Sequence, residues 1–246
     1  LPTRMAIVFM GRLGGHETGY GSDADVMFVH DPLPDTGYPS EAAKCAQWLA
    51  QEVRSSLAAP GQDPPLEIDA DLRPEGKNGP LVRTLDSYRA YYDKWSDTWE
   101  AQALLRAEAV VGDRDLCAAF TALIDPLRYP EAGLSDKEVR EIRRIKARVE
   151  AERLPRGANP ATHLKLGRGG LADVEWTVQL LQMEHAHAVP GLRTTRTLWA
   201  LEAAAEAELL SREDADALRD AWLMVSRIRN GAVLWRNRPA ESLVTD

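Results

Sequence analysis

The stretch GRLGGHETGYGSDADVMFVH, Gly11 to His30, sets two carboxylates two positions apart behind a glycine-rich loop and ahead of an apolar run. Before it, MAIVFMG (Met5–Gly11) is a continuous apolar run of strand length, stopped by glycine. After it, DADVMFVHD reads as a second strand, with Ala24, Val26 and Phe28 facing one way and Asp23, Asp25 and Met27 the other. Residues i and i+2 of a strand project from one face roughly 7 Å apart. Asp23 and Asp25 are therefore placed to share a divalent cation or to hold two side by side. Hard oxygen ligands suit Mg²⁺, which takes one or two carboxylates and completes its shell with water and substrate phosphates. Gly14 and Gly15 follow the first strand, where the missing side chains let backbone N–H groups approach an anion closely. The order strand, Gly-Gly, loop, Asp-x-Asp strand is neither a P-loop nor a dinucleotide GxGxxG.

A third carboxylate from a neighbouring strand would complete a two-metal site. LEIDADLRPEG offers it: Leu66, Ile68, Ala70 and Leu72 alternate with Glu67, Asp69, Asp71 and Arg73, the pattern of a half-buried strand with one charged face. Asp69 and Asp71 share that face, and the alternation does not choose between them.

Between these strands, HDPLPDTGYPS (His30–Ser40) is a punctuated loop, and Ser40 is placed to cap a helix through Leu57. From Thr84 onward the period changes, and the segments 84–95, 97–111, 113–127, 135–154, 169–188, 194–210 and 211–235 all suit helices. Ser135, Thr194 and Ser211 stand at capping positions. The expected fold class is α+β. A small mixed β-sheet domain over residues 1–111 is followed by an all-α helical bundle domain over 112–246.

Composition bounds the function. Of 246 residues, 38 are acidic and 30 basic, and an acidic excess disfavours DNA or RNA as the main partner, since phosphate-binding surfaces carry the opposite balance. No apolar run has membrane-spanning length, and the chain opens without a signal-like start, so no membrane is expected. The two cysteines, Cys45 and Cys117, lack a CxxC spacing, which favours a reduced, cytoplasmic setting. The opening LPTRMAIVFM leads almost at once into a strand, as in a piece of a longer polypeptide.

The small-hydrophobic–Gly–Gly element followed by Asp-x-Asp resembles the signature of polymerase-β-like nucleotidyltransferases. More closely, GRLGGHETGYGSDADVMFVHD, EIDADLRPEGKNGPLV, WSDTWEAQALLRAEAVVGD and HLKLGRGGLADVEWTVQLLQ, in that order, resemble the motifs of the glutamine-synthetase adenylyltransferase family, a likeness over nearly the whole chain. That family has two homologous halves, one attaching AMP to glutamine synthetase and one removing it. The TWEAQALLRAEAVVGD segment resembles the attaching, C-terminal half more. The resemblance implies Mg²⁺-dependent transfer of AMP from ATP to a tyrosine hydroxyl of glutamine synthetase. In the whole enzyme it implies control by a PII-type nitrogen regulatory protein.

It also implies the roles of particular residues. Asp23 and Asp25 would be the paired metal ligands. Asp69 would be the third carboxylate, because the family motif reads Asp-x-x-Leu-Arg-Pro. Gly14 and Gly15 would cradle the triphosphate, with Ser22 beside it. Arg73 would neutralise phosphate or make a structural ion pair with Glu67 or Asp71. The competing enzyme reading is phosphorolytic removal of AMP; the competing reading of another class is a non-catalytic module that binds nucleotide or a regulator.

Other polar motifs read as structural. On a helix beginning at Gly169–Gly170, Asp173 and Glu175 lie about 200° apart and cannot share one metal. Asp173 there suits the positive end of the helix dipole. Leu171, Val174, Val178 and Leu181 form one apolar stripe and Trp176, Leu180 and Met183 another, so this helix is expected between neighbours. The basic run Arg140–Arg148 reads as a salt-bridged solvated face, and His185 and His187 diverge.

Overall fold

The computed structural model describes residues 1–34, 39–238 and 241–243. Its sheet is built on β1 (Thr3–Phe9) and β2 (Ala24–Pro32), which pair antiparallel with Phe9 opposite Val26. Between them the chain makes one short helical turn, α1 (Gly11–Gly14). Beyond the turn of β2, α2 (Pro39–Ala58) covers one sheet face. Part of the expected loop, positions 35–38, lies outside the described residues, and Ser40, expected as the cap, is already inside the helix that starts at Pro39, a residue suited to a first helical turn.

Next come β3 (Ile68–Asp69) and β4 (Val82–Thr84), both parallel to β2 and paired with its beginning and its middle. Two helices follow, α3 (Leu85–Trp95) and α4 (Thr98–Leu104). Then β5 (Glu108–Gly112) runs antiparallel to β1, giving the order β3-β2-β1-β5. The remaining helices are α5 (Arg114–Arg128), α6 (Asp136–Arg153), α7 (Leu171–His185), α8 (Thr197–Glu206) and α9 (Arg212–Arg236). The fold class is therefore α+β, a small mixed sheet followed by helices.

β2 shows why the sheet holds the site firmly. Ala24, Val26 and Phe28 pack with Ala46 and Ala50 of α2, while Met27 and Val29 pack on the other side with Tyr88, Leu104, Phe120 and Ile124. Both faces of this central strand are thus covered by helices, and only its ends reach solvent, where Asp23 is exposed and Asp25 half-buried.

Three further segments differ from the sequence reading. Segment 97–111, expected as one helix, is α4 followed by β5. The open edge of β1 needs a partner for its backbone groups, and Ala109 and Val111, alternating ahead of Gly112, supply it. The third acidic strand is only two residues long. After Ala70 the chain turns, so Ile68 and Ala70 enter the α2-side core while Leu72 joins the opposite one. Thr194 does not cap α8; its Oγ1 accepts the Arg196 N–H one turn earlier, whereas Ser135 and Ser211 cap α6 and α9 as expected.

The chain forms two compact units, residues 1–18 with 22–127, and residues 19–21 with 128–246. The expected boundary at 111 differs because α5 belongs to the sheet: Leu116, Cys117, Phe120 and Ile124 lie in its core, with Phe120 edge-on to Tyr88 at 5.2 Å. In the second unit α7 packs against α6, α8 and α9, and no residue of Leu171–Ala186 is exposed, as a helix between neighbours requires. Among the described residues no helix is long and apolar enough to cross a membrane.

Candidate active site

Asp23, Asp25 and Asp69 converge. One carboxylate oxygen from each lies within 4.8 Å of the others, a grouping suited to a metal ion. Register explains it: β2 and β3 run parallel with Asp25 directly beside Asp69, and Asp23 precedes the strand on the same side. The Ala24 N–H donates to the Glu67 carbonyl at 2.8 Å and locks the two segments together. Asp69 Oδ1 accepts the Asp71 N–H at 2.7 Å, an Asx turn that bends the chain and orients the carboxylate. Asp71 lies outside the trio, pairing with Lys77 at 3.2 Å and Arg73 at 3.5 Å. The alternation left these two aspartates equivalent; the turn separates them.

Arg73 is buried, and its fork is engaged by its own loop. It donates to the carbonyls of Ala70, Lys77, Gly79 and Pro80 at 2.7–3.4 Å. Its acid partner is Asp71 and not Glu67. The same loop is held from outside by Arg83, which pairs with Glu75 and stacks 5.7 Å from the Tyr91 ring. The Tyr91 hydroxyl donates to Glu100 Oε1 at 2.9 Å. Burial, and then that bond to Glu100, push the Tyr91 phenol up to about 12. Burial likewise raises the Glu100 carboxyl.

The glycine turn is held by its own backbone hydrogen bonds. The Gly14 N–H donates to the Met10 carbonyl at 2.8 Å and the Gly15 N–H to that of Gly11 at 3.2 Å, so both amides are engaged inside the turn. What the turn gains from glycine is close approach. A Cβ on Gly14 would meet the Arg106 carbonyl oxygen at 1.9 Å. Gly11, read only as a strand stop, has φ +51°, and a Cβ there would fall 2.3 Å from Asp25 Oδ2. The turn thus lies directly against a carboxylate of the trio. Met10 N–H reinforces this by donating to the Asp25 carbonyl at 2.8 Å. Ser22, half-buried, immediately precedes Asp23.

Two residues near the turn were not anticipated. Arg106 and Glu17 form an ion pair at 2.7 Å with little exposure, and Arg106 Nε donates to the Gly11 carbonyl at 3.0 Å. A lone cation inside the apolar run ALLRAEAVV is the sequence signal that could have marked the first, since buried charges are rare unless paired. Away from the trio, Asp173 accepts the Gly169 N–H at 2.7 Å and pairs with Lys146 at 2.5 Å. Among the described residues, the aspartate trio is the one group of acidic, histidine or cysteine side chains close enough to share a metal.

A small mixed sheet with carboxylates gathered on adjacent strands behind a tight glycine turn, followed by helices, is the fold of a nucleotidyltransferase. Residues 1–123 match the family model described as glutamate-ammonia ligase adenylyltransferase, and the chain belongs to that family. Residues 141–246 match the model described as GlnD PII-uridylyltransferase. Over all 246 residues the chain is 61% identical to a protein of Streptomyces avermitilis and 60% identical to one of Streptomyces coelicolor. Over 242 residues it is 59% identical to one of Mycobacterium avium. Each is named bifunctional glutamine synthetase adenylyltransferase/adenylyl-removing enzyme. The chain spans 24% of the length of these relatives.

Proposed function

We propose that this chain catalyses Mg²⁺-dependent transfer of AMP from ATP to a tyrosine hydroxyl of glutamine synthetase, with release of pyrophosphate. The observation that carries the reading is the convergence of Asp23, Asp25 and Asp69, an all-oxygen, three-carboxylate donor set of the kind hard divalent cations prefer. These three would hold the metal, and Ser22 and the Gly11–Gly15 turn would flank the triphosphate. Bound there, Mg²⁺ would act as a Lewis acid, lowering the pKa of the incoming hydroxyl and neutralising charge on the triphosphate. That help is needed because a tyrosine hydroxyl ordinarily titrates near pH ~10. The new bond joins the tyrosine oxygen to the α-phosphorus, the bond to the bridging oxygen of pyrophosphate breaks, and the hydroxyl proton goes to solvent. The chain needs no nucleophile of its own, because the substrate protein brings one. Its residues bind, neutralise and align.

The relatives' names join this activity with adenylyl removal, so release of AMP from modified glutamine synthetase by phosphate, as ADP, is the second reading at the same site. The match of residues 141–246 to a PII-uridylyltransferase model supports control by a PII-type protein in the longer enzyme. One experiment separates the readings. Unmodified glutamine synthetase with ATP and Mg²⁺, and adenylylated glutamine synthetase with phosphate and Mg²⁺, are incubated separately with this chain and weighed by mass spectrometry. Gain of one AMP in the first tube supports transfer. Loss of AMP only in the second establishes removal, and no change in either tube overturns both.

A further inference from the structure

We propose that Arg106, together with Glu17, is a positioning residue: it fixes the glycine turn against Asp25 and so sets the spacing of the aspartate trio. The proposal rests on the function proposed above and concerns a residue pair outside the trio.

Arg106 touches the turn at three points. Nε donates to the Gly11 carbonyl at 3.0 Å, Nη2 pairs with Glu17 Oε2 at 2.7 Å, and its own carbonyl lies where a Gly14 Cβ would intrude. Arg12 adds a second tie, its Nε and Nη2 donating to the Glu17 carbonyl at 2.9 and 2.7 Å. The beginning and end of the segment 11–17 are therefore held by the Arg106 side chain, and its middle lies against the same residue's backbone carbonyl at the α4–β5 junction. Gly11, the first of those points, is the residue packed on the Asp25 carboxylate, with less room there than one methyl group needs. Release of Gly11 from Arg106 frees the surface that Asp25 leans on.

The chemistry of the pair fits this role. The Arg106 and Glu17 side chains are 7% and 13% exposed, so water is poorly placed to replace either partner. A buried ion pair is a weak device for stability, because apolar side chains of similar volume often serve as well. Its distinctive property is direction: a planar guanidinium satisfies a carboxylate and a carbonyl together in only a narrow range of arrangements. A lysine keeps the charge and loses the fork. Groups that orient metal ligands from behind typically change metal affinity by ten- to a hundredfold when altered.

The test uses the whole chain in three variants, Arg106→Lys, Glu17→Gln and Arg4→Lys. The last disturbs another ion-paired arginine, at the far end of β1, more exposed, paired with Asp31 and outside the turn. Binding of Mn²⁺ in the presence of ATP is followed by electron paramagnetic resonance of the free ion, well below each variant's thermal midpoint. The expected result is a roughly tenfold or greater weakening in Arg106→Lys and Glu17→Gln and none in Arg4→Lys. If Arg106→Lys does not fold, Glu17→Gln decides. Unchanged binding in the deciding variant, or equal weakening in Arg4→Lys, overturns the proposal. Failure of the unaltered chain to bind Mn²⁺ with ATP would instead remove the proposed function, and the positioning role with it.

Discussion

Three carboxylates within 4.8 Å of one another repel unless a cation lies between them, and that repulsion is present in the folded chain whenever no cation is bound. Asp25→Asn removes one charge and keeps the shape. Without divalent ions, the variant is expected to melt a few degrees above the unaltered chain, since about 1 kcal/mol moves a domain of this size by a few degrees. Added Mg²⁺ should reverse the order, because only the intact trio gains from the ion. AMP transfer by the variant should fall roughly a thousandfold, the loss expected when about 4 kcal/mol of transition-state stabilisation disappears. Calorimetry with and without Mg²⁺ checks the crossing; a variant no more stable in chelator would mean that the three charges do not interact.

A second prediction at this scale concerns His30, buried on β2 with Nδ1 3.1 Å from the Thr3 hydroxyl. Burial lowers its pKa against a smaller opposing pull from Asp31, so the folded ring protonates below the ordinary value near ~6.5. As pH falls through that value the unfolded chain takes up the proton first, and stability is lost; above it the contribution is fully present. Unfolding midpoints in urea should fall between about pH 7.5 and about pH 5.5, and less steeply in His30→Gln. Parallel slopes would refute this. The Asp23–Asp25 pair was legible at residue scale because strand spacing is local, whereas the alternation left Asp69 and Asp71 equivalent until the turn at Asp69 separated them. Gly11 and Arg106 were not legible, because their importance lies in contacts with residues 14 and 95 positions away.

At the scale of elements, the helices and the first two strands were readable from period and caps, and the failures share a cause. β5 is written in Glu, Ala and Val after a helix rich in Ala and Leu, and nothing local marks where the period changes. It is a strand because β1 offers an edge, a tertiary fact. β3 is short because the Asx turn of Asp69 competes with continued pairing. The first turn of α7 shows the opposite case, a local reading that held. Asp173 was assigned to the helix N-terminus, and it joins the Gly169 N–H to Lys146 of α6. Burial pulls the Lys146 ammonium down, but its pairs with Asp173 and Glu150 outweigh this and hold it above its ordinary value. Both side chains of the Lys146–Asp173 pair remain partly exposed, so Asp173→Ala should cost only about 1–2 kcal/mol, the worth of a cap with a screened pair. Mn²⁺–ATP binding should be unchanged. A urea titration measures the first, and a loss of metal binding would mean that Asp173 serves the nucleotide after all.

For the molecule as a whole, the question is where the sheet-bearing unit ends. A boundary at residue 111 follows the change of pattern in the sequence, whereas the compact unit runs to Leu127. The difference is α5. Its Leu116, Phe120 and Ile124 are at most 2% exposed within the core beneath β1 and β2, against Tyr88 and Leu104. Each such side chain contributes roughly 1.5–3 kcal/mol on burial, so the three together approach the 5–15 kcal/mol by which whole domains are stable. A fragment of residues 1–111 should therefore lack a cooperative thermal transition, while one of residues 1–127 should show one. The longer fragment should also bind Mn²⁺ with ATP, because every residue of the trio and of the Arg106–Glu17 pair lies within it. Circular dichroism melts of the two fragments decide the matter. Cooperative melting of the shorter fragment at the same temperature would mean that the sheet is stable without α5, and the boundary would then belong where the sequence pattern changes.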